Sequence, residues 1–172
     1  MPIQNVFRTN NILDVYKQCK EIIEKKENVF LFLDIDDTVL STRNGQKFVD
    51  KNIVHLVQLI YAYNPNRLWF LTAREPIYRQ PTINQLNLAK LVDDGKYIPY
   101  NVIFSPFKIE NGDMIATKGE TLSKFLTTTA ELPIGRPNWI IFVDDNMDQI
   151  NSVNAWLKQL NININYTLYK YM

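Results

Sequence analysis

"VFLFLDIDDTVL", Val29 to Leu40, joins two patterns that rarely sit side by side. Val29 to Leu33 are apolar without alternation, as in a strand of a parallel sheet covered on both faces. Asp34, Asp36 and Asp37 then place three carboxylates within four positions. In open parallel sheets, ligands bind beyond the carboxyl ends of the strands, where the chain leaves the sheet and polar groups face a crevice. The stretch therefore reads as a central buried strand that delivers acids to such a crevice.

Outward from it the same signature recurs. "RLWFLT" (Arg67 to Thr72), "YNVIFSP" (Tyr100 to Pro106) and "WIIFVDD" (Trp139 to Asp145) are short apolar runs, and each ends in polar residues. Between them apolar residues recur at helical spacing: Ile12, Val15, Tyr16, Cys19, Ile22 and Ile23 with Asn10 or Asn11 as cap, then Ile53, Leu56, Val57 and Ile60. Pro81 opens a further helix through Ile83, Leu86, Ala89 and Lys90, "TKGETLSKFL" reads as another, and Ile150, Val153, Trp156, Leu157 and Leu160 form a last helical face. Asn111-Gly112 inside "FKIENGDMIA" predicts a β-hairpin. "ININYTLY" alternates like a final edge strand. Strands alternating with helices predict an α/β, three-layer Rossmann-like fold with a mostly parallel central sheet and a small β-hairpin, built as one domain over residues 1–172.

The chain has 172 residues, 46% of them hydrophobic and 22% charged, which fits an ordinary soluble domain and excludes a fibrous or disordered one. Its formal charge is +1 with no basic cluster, so nucleic acid is not an expected partner. No run approaches membrane-spanning length and "MPIQNVFRTNN" lacks the pattern of a secretory signal, so a soluble, cytoplasmic location is expected unless export uses another route. The lone Cys19 is expected in the core.

Asp34 and Asp36, at i and i+2 of an extended segment, point the same way. With Asp144 and Asp145 they gather four acids at one sheet edge. At about 4 Å and an effective dielectric near 20, each like-charge pair costs on the order of 4 kcal/mol, so positive charge must stand among them. Lys118 is one candidate. An all-oxygen ligand set, with only the remote His55, favours a hard divalent ion, Mg²⁺ before Ca²⁺ or Zn²⁺. Such a site suits phosphate: one carboxylate attacks phosphorus while a second serves as acid and base.

Four stretches carry a family resemblance. "LDIDDTVL" resembles the DxDxT signature of the haloacid dehalogenase-like (HAD) phosphatases, "LWFLTAR" their strand ending in Thr or Ser, "ATKGETL" their lysine motif, and "IIFVDDN" their terminal acidic pair. The order agrees, and the resemblance extends from Val29 to about Asp148. It is similar also to a poorly characterised group of bacterial HAD proteins. It implies Mg²⁺-dependent phosphoryl transfer, with Asp34 as nucleophile and metal ligand, and Asp36 as acid/base with its backbone carbonyl on the metal. Thr72 and Lys118 would hold the phosphoryl group, in a substrate-binding set that includes Ala73 and Arg74. Asp145 would be the direct metal ligand, with Asp144 beside it either supporting that ligand or taking its place. Gln149 stands where many relatives carry a further acid, with Asp148 one position earlier.

Within the family that the motifs resemble, an acid at the position of Asp36 implies hydrolysis rather than a lasting phosphoenzyme or dehalogenation. Only "STRNGQKFVDKN" separates the first motif from the next helix, so no large cap is expected. An open site admits a phosphoprotein, phosphotyrosine included; a nucleotide or sugar phosphate is the small-molecule alternative, and an interaction module with an idle site the non-catalytic one. A signalling receiver gathers similar residues, but in another chain order. Arg74 is read either as a bidentate phosphate clamp or as half of a surface ion pair. Asp37 is expected to face away from the site and cap the following turn, His55 to be an ordinary helix residue, Tyr166 and Tyr169 to be packing and edge residues, and Arg43 and Lys47 to attract phosphorylated substrates.

Overall fold

A computed structural model describes residues 2–43, 47–89, 101–129, 136–160 and 163–172. Val29–Leu33 forms a strand in which every residue is buried. It stands near the middle of a six-stranded sheet whose strands are, in chain order, β1 (Gln4–Thr9), β2 (Val29–Leu33), β3 (Leu68–Thr72), β4 (Val102–Phe104), β7 (Trp139–Asp144) and β8 (Asn165–Tyr171); the spatial order is β1-β8-β7-β2-β3-β4, every pair parallel. β5 (Lys108–Glu110) and β6 (Asp113–Ile115) form a separate antiparallel hairpin. Its turn residues Asn111 and Gly112 have φ of 51° and 82°, the left-handed region that this dipeptide tolerates.

The alternation of side chains along each strand divides the core into two layers. Leu31, Leu33, Ile141 and Val143 pack with residues of α1 (Ile12–Glu24) and α2 (Ile53–Tyr63) on one face. On the other, Phe30, Phe32, Ile140 and Phe142 pack with residues of α4 (Lys118–Thr129) and α5 (Met147–Gln159). Asn11 caps α1 by accepting from Leu13 N–H, and Asn146 caps α5 by accepting from the Asp148 and Gln149 N–H groups. Cys19 is a core residue, its thiol pushed up to about 12 by burial. α3 (Arg79–Leu88) follows β3. Where α4 crosses α5, Gly119 allows close approach: a Cβ there would fall 2.2 Å from the Ser152 carbonyl oxygen.

Two expectations change. β8 is not an edge strand, because β1, which the sequence reading left out, pairs along its outer side from Gln4 opposite Tyr166 to Thr9 opposite Tyr171. The alternation in β8 marks two dry layers rather than one dry and one wet. Thr167 is fully buried and accepts from Gln18 Nε2 of α1 at 2.7 Å, while Tyr166, also fully buried, donates to Asn154 of α5 at 2.6 Å. The fourth strand is shorter than the quoted stretch, and Tyr100 and Lys90 lie outside the described residues. Among the described residues no helix is long and apolar enough to cross a membrane.

Candidate functional site

The chain departs to either side between β2 and β7, since β3 and β4 continue on one side of β2 while β7 and β8 lie on the other. That is the topological switch point, where an open α/β sheet forms its crevice. Asp34 leaves β2 there, its N–H still held by the Val143 carbonyl at 3.0 Å. Its Oδ1 meets Lys118 Nζ at 2.6 Å, and its Oδ2 accepts from the Thr38 hydroxyl at 3.0 Å. Lys118, the first residue of α4, bridges to Asp144 Oδ2 at 2.6 Å, and the other oxygen of Asp144 accepts from Asn146 N–H at 2.8 Å. Asp145 N–H donates to Thr38 Oγ1 at 3.1 Å. Thr38 thereby ties the end of β2 to the end of β7, a part the sequence reading did not give it. A cleft of about 210 Å³ opens over these groups, lined also by Asp36, Ala73, Phe107 and Gln149.

Asp34, Asp144 and Asp145 each offer an oxygen, and these oxygens lie within 4.8 Å of one another. One ammonium stands among three carboxylates and bonds two of them, Asp34 and Asp144, and the balance shows in their protonation. Burial, then the charge of Asp34, pushes Asp144 up to about 7 against the pull of Lys118. Burial and Asp34 likewise push Asp145 up to about 6. Burial opposes the charge on Lys118, but Asp34 and Asp144 outweigh it and hold the ammonium protonated above its ordinary range. A hard dication fits: the donors are all oxygen and the cluster is short of positive charge. Gln149 adds an observation. Its Oε1 accepts from Lys118 N–H at 3.1 Å, whereas its buried Nε2 finds no partner among the described residues.

The other expected residues divide. Asp36 reaches the cleft but is gripped by Arg74, with Nε to Oδ2 at 2.9 Å and Nη2 to Oδ1 at 2.7 Å. Of the two readings of Arg74, this geometry is an ion pair. Thr72 ends β3 fully buried, its hydroxyl accepting from Arg74 N–H at 3.2 Å, and it is not among the residues lining the cleft. Asp37 caps the turn as expected, taking the Thr42 N–H at 2.9 Å with its own φ at 59°. It does not face away, however: it lines the cleft, and its charge helps to raise Asp145. The left-handed backbone swings it back, which i, i+2 reasoning for a straight strand does not foresee. Asp148 is exposed in the first turn of α5, and His55 is exposed on α2. Arg43 and Lys47 are exposed, and Arg43 borders a neighbouring hollow that also touches Asp37 and Asp145.

The sheet order, hairpin and flanking helices define a HAD-like α/β fold. The structure is similar to that of the HAD domain of effector protein Lem4 from Legionella pneumophila, at 14% identity over 84% of this chain and 86% of that one, with a TM-score of 0.50. A structure of the inactive mutant of the same domain is 13% identical over 83% and 84%, with a TM-score of 0.49. No curated protein matches the sequence. Residues 43–172 match the family described as Protein of unknown function (DUF2608), and the chain belongs to that family.

Proposed function

We propose that this chain is a single-domain, nearly capless HAD phosphatase of the DxDxT type that hydrolyses phosphomonoesters with Mg²⁺. The observation that carries the reading is the setting of Asp34. It sits at the switch point with Lys118 on one oxygen and Thr38 on the other, beside Asp144 and Asp145. Asp34, Asp144 and Asp145, with the Asp36 carbonyl, would hold the ion, and Mg²⁺ would supply positive charge to the transferring group.

A carboxylate oxygen of Asp34 attacks phosphorus as the bond to the leaving oxygen breaks, and the departing electron pair takes a proton from Asp36. Water then attacks the aspartyl-phosphate, returns a proton to Asp36, and the carboxylate of Asp34 is released. Lys118 neutralises charge at Asp34 through both steps. The order and spacing of the four motifs, on the elements where phosphoryl-transfer members of the fold carry them, support this assignment of roles.

The substrate class follows from access. Asp36 is 39% exposed at the mouth of the cleft, so a phosphorylated side chain on a protein, phosphotyrosine included, can approach it. The purified chain is expected to hydrolyse p-nitrophenyl phosphate with Mg²⁺, to stop in EDTA and to be dead as Asp34→Asn. Across phosphopeptides, nucleotides and sugar phosphates, the phosphopeptides should turn over best. A chain that binds Mg²⁺ yet leaves the whole panel intact would instead be a binding module with an idle site.

A further inference from the structure

We propose that Arg74 is a positioning residue that fixes the carboxylate of Asp36 for proton transfer, with α3 as the arm that holds it there; this rests on the phosphatase reading above. The guanidinium has five N–H groups in a rigid plane. Two of them grip both oxygens of Asp36 in a fork, at 2.9 and 2.7 Å. Nη1 donates two more to α3, to Thr82 Oγ1 at 3.0 Å and Gln85 Oε1 at 2.5 Å. The backbone N–H of Arg74 is tied in turn to the Thr72 hydroxyl at 3.2 Å. Four of the five donors are therefore engaged, and the fork that would clamp a phosphate is already filled by Asp36.

The pair is bidentate and partly buried, with the Arg74 and Asp36 side chains 19% and 39% exposed, and a fork of this kind fixes orientation as well as adding energy. Thr82 is fully buried and sits on a packed helix, so the guanidinium plane is set before substrate arrives and the plane of Asp36 is set with it. An acid that must protonate a leaving oxygen gains most from being aimed when that oxygen is a poor leaving group. Nitrophenolate departs without a proton; an alkoxide does not.

The test is steady-state kinetics with Mg²⁺ on p-nitrophenyl phosphate and on a simple alkyl phosphate. Arg74→Met should lower kcat on the alkyl ester by about tenfold more than on the aryl ester, a fraction of a general acid's usual contribution, with KM little changed. Arg74→Lys, which keeps the charge without the fork, should recover little. In an Asp36→Asn background, Arg74→Met should add almost no further loss on the alkyl ester. Gln85→Leu should give the same pattern at smaller size, and it carries the test if Arg74→Met fails to fold. Equal losses on both esters, a raised KM with kcat preserved, or additive losses with Asp36→Asn would each overturn the proposal while leaving the phosphatase reading intact. A wild-type chain inert on both esters would instead overturn that reading, and this one with it.

Discussion

Asp34 and Asp36 stand two residues apart at one strand end, yet they occupy opposite kinds of surroundings. Asp34, on the flank shared with β7, is 5% exposed and bonded to a lysine that is itself 1% exposed. The Asp36 side chain, on the flank facing β3 and α3, is 39% exposed against 7% for that of Asp34, and its partner Arg74 is half-buried. The first group is a fixed point, since burial makes its partner indispensable. The second is oriented by the Arg74 fork and still keeps a side open to solvent and ligand. The nucleophile and proton carrier proposed above would need this division, because one must not wander and the other must reach water.

The contrast is open to attack, first where the largest effect is expected. Asp34→Asn should lower kcat by about 10⁴ or more, the scale of losing a covalent nucleophile. Asp36→Asn should cost less on p-nitrophenyl phosphate than on alkyl esters, and equal losses across substrates in the two variants would erase the distinction. Lys118→Met should cost about 3–5 kcal/mol in urea unfolding without Mg²⁺, because Asp34 and Asp144 are then left buried without a counter-charge. Added Mg²⁺ should restore part of that loss.

The pH dependence of stability sharpens the picture next. Asp144 at about 7 and Asp145 at about 6 lie above their ordinary 3.8, so between about pH 4 and 7 the native chain binds protons that the unfolded chain has released. Their contribution to stability is full below about pH 4, declines through that window as pH rises, and is lost above about 7. Mg²⁺ bound at the cluster would compete with those same protons. Its thermal shift should therefore be small near pH 5 and grow towards pH 8, by scanning fluorimetry; a shift that shrinks with pH would contradict the cluster. The smallest effect belongs to the other flank. Arg74→Met should change unfolding free energy by about 1–3 kcal/mol, less than Lys118→Met, because Asp36 keeps access to solvent once its partner is gone. A loss comparable to that of Lys118→Met would show the two flanks to be equally structural.

Much of the fold is legible because β2, β3 and β7 are buried on both faces, which leaves continuous apolar runs bounded by polar ends. β1 escapes notice because "QNVFRT" is mostly exposed and its place depends on a partner far along the chain. β8 is visible but misplaced, since a hydroxyl satisfied by Gln18 looks in sequence like one facing water. In the site, Asp34, Lys118 and Asp144 come together where their motifs predict. What the string could not convey is how side chains use their bonds. Thr38 joins two strand ends, Arg74 spends its fork on Asp36 rather than standing free, and Thr72 turns its hydroxyl to a backbone N–H. These are choices among neighbours distant in sequence, and spacing alone does not rank them.

The pairing of β1 with β8 closes a loop of nearly the whole chain, from Gln4 to Tyr166, so its entropic cost is among the highest in the sheet. Without β1, Tyr166 to Tyr171 would present an open, tyrosine-rich rim to a passing strand. Gln4–Thr9 is the outermost strand of the sheet: deleting it should leave the crevice largely intact while baring the hydrogen-bonding edge of the longer, tyrosine-rich β8.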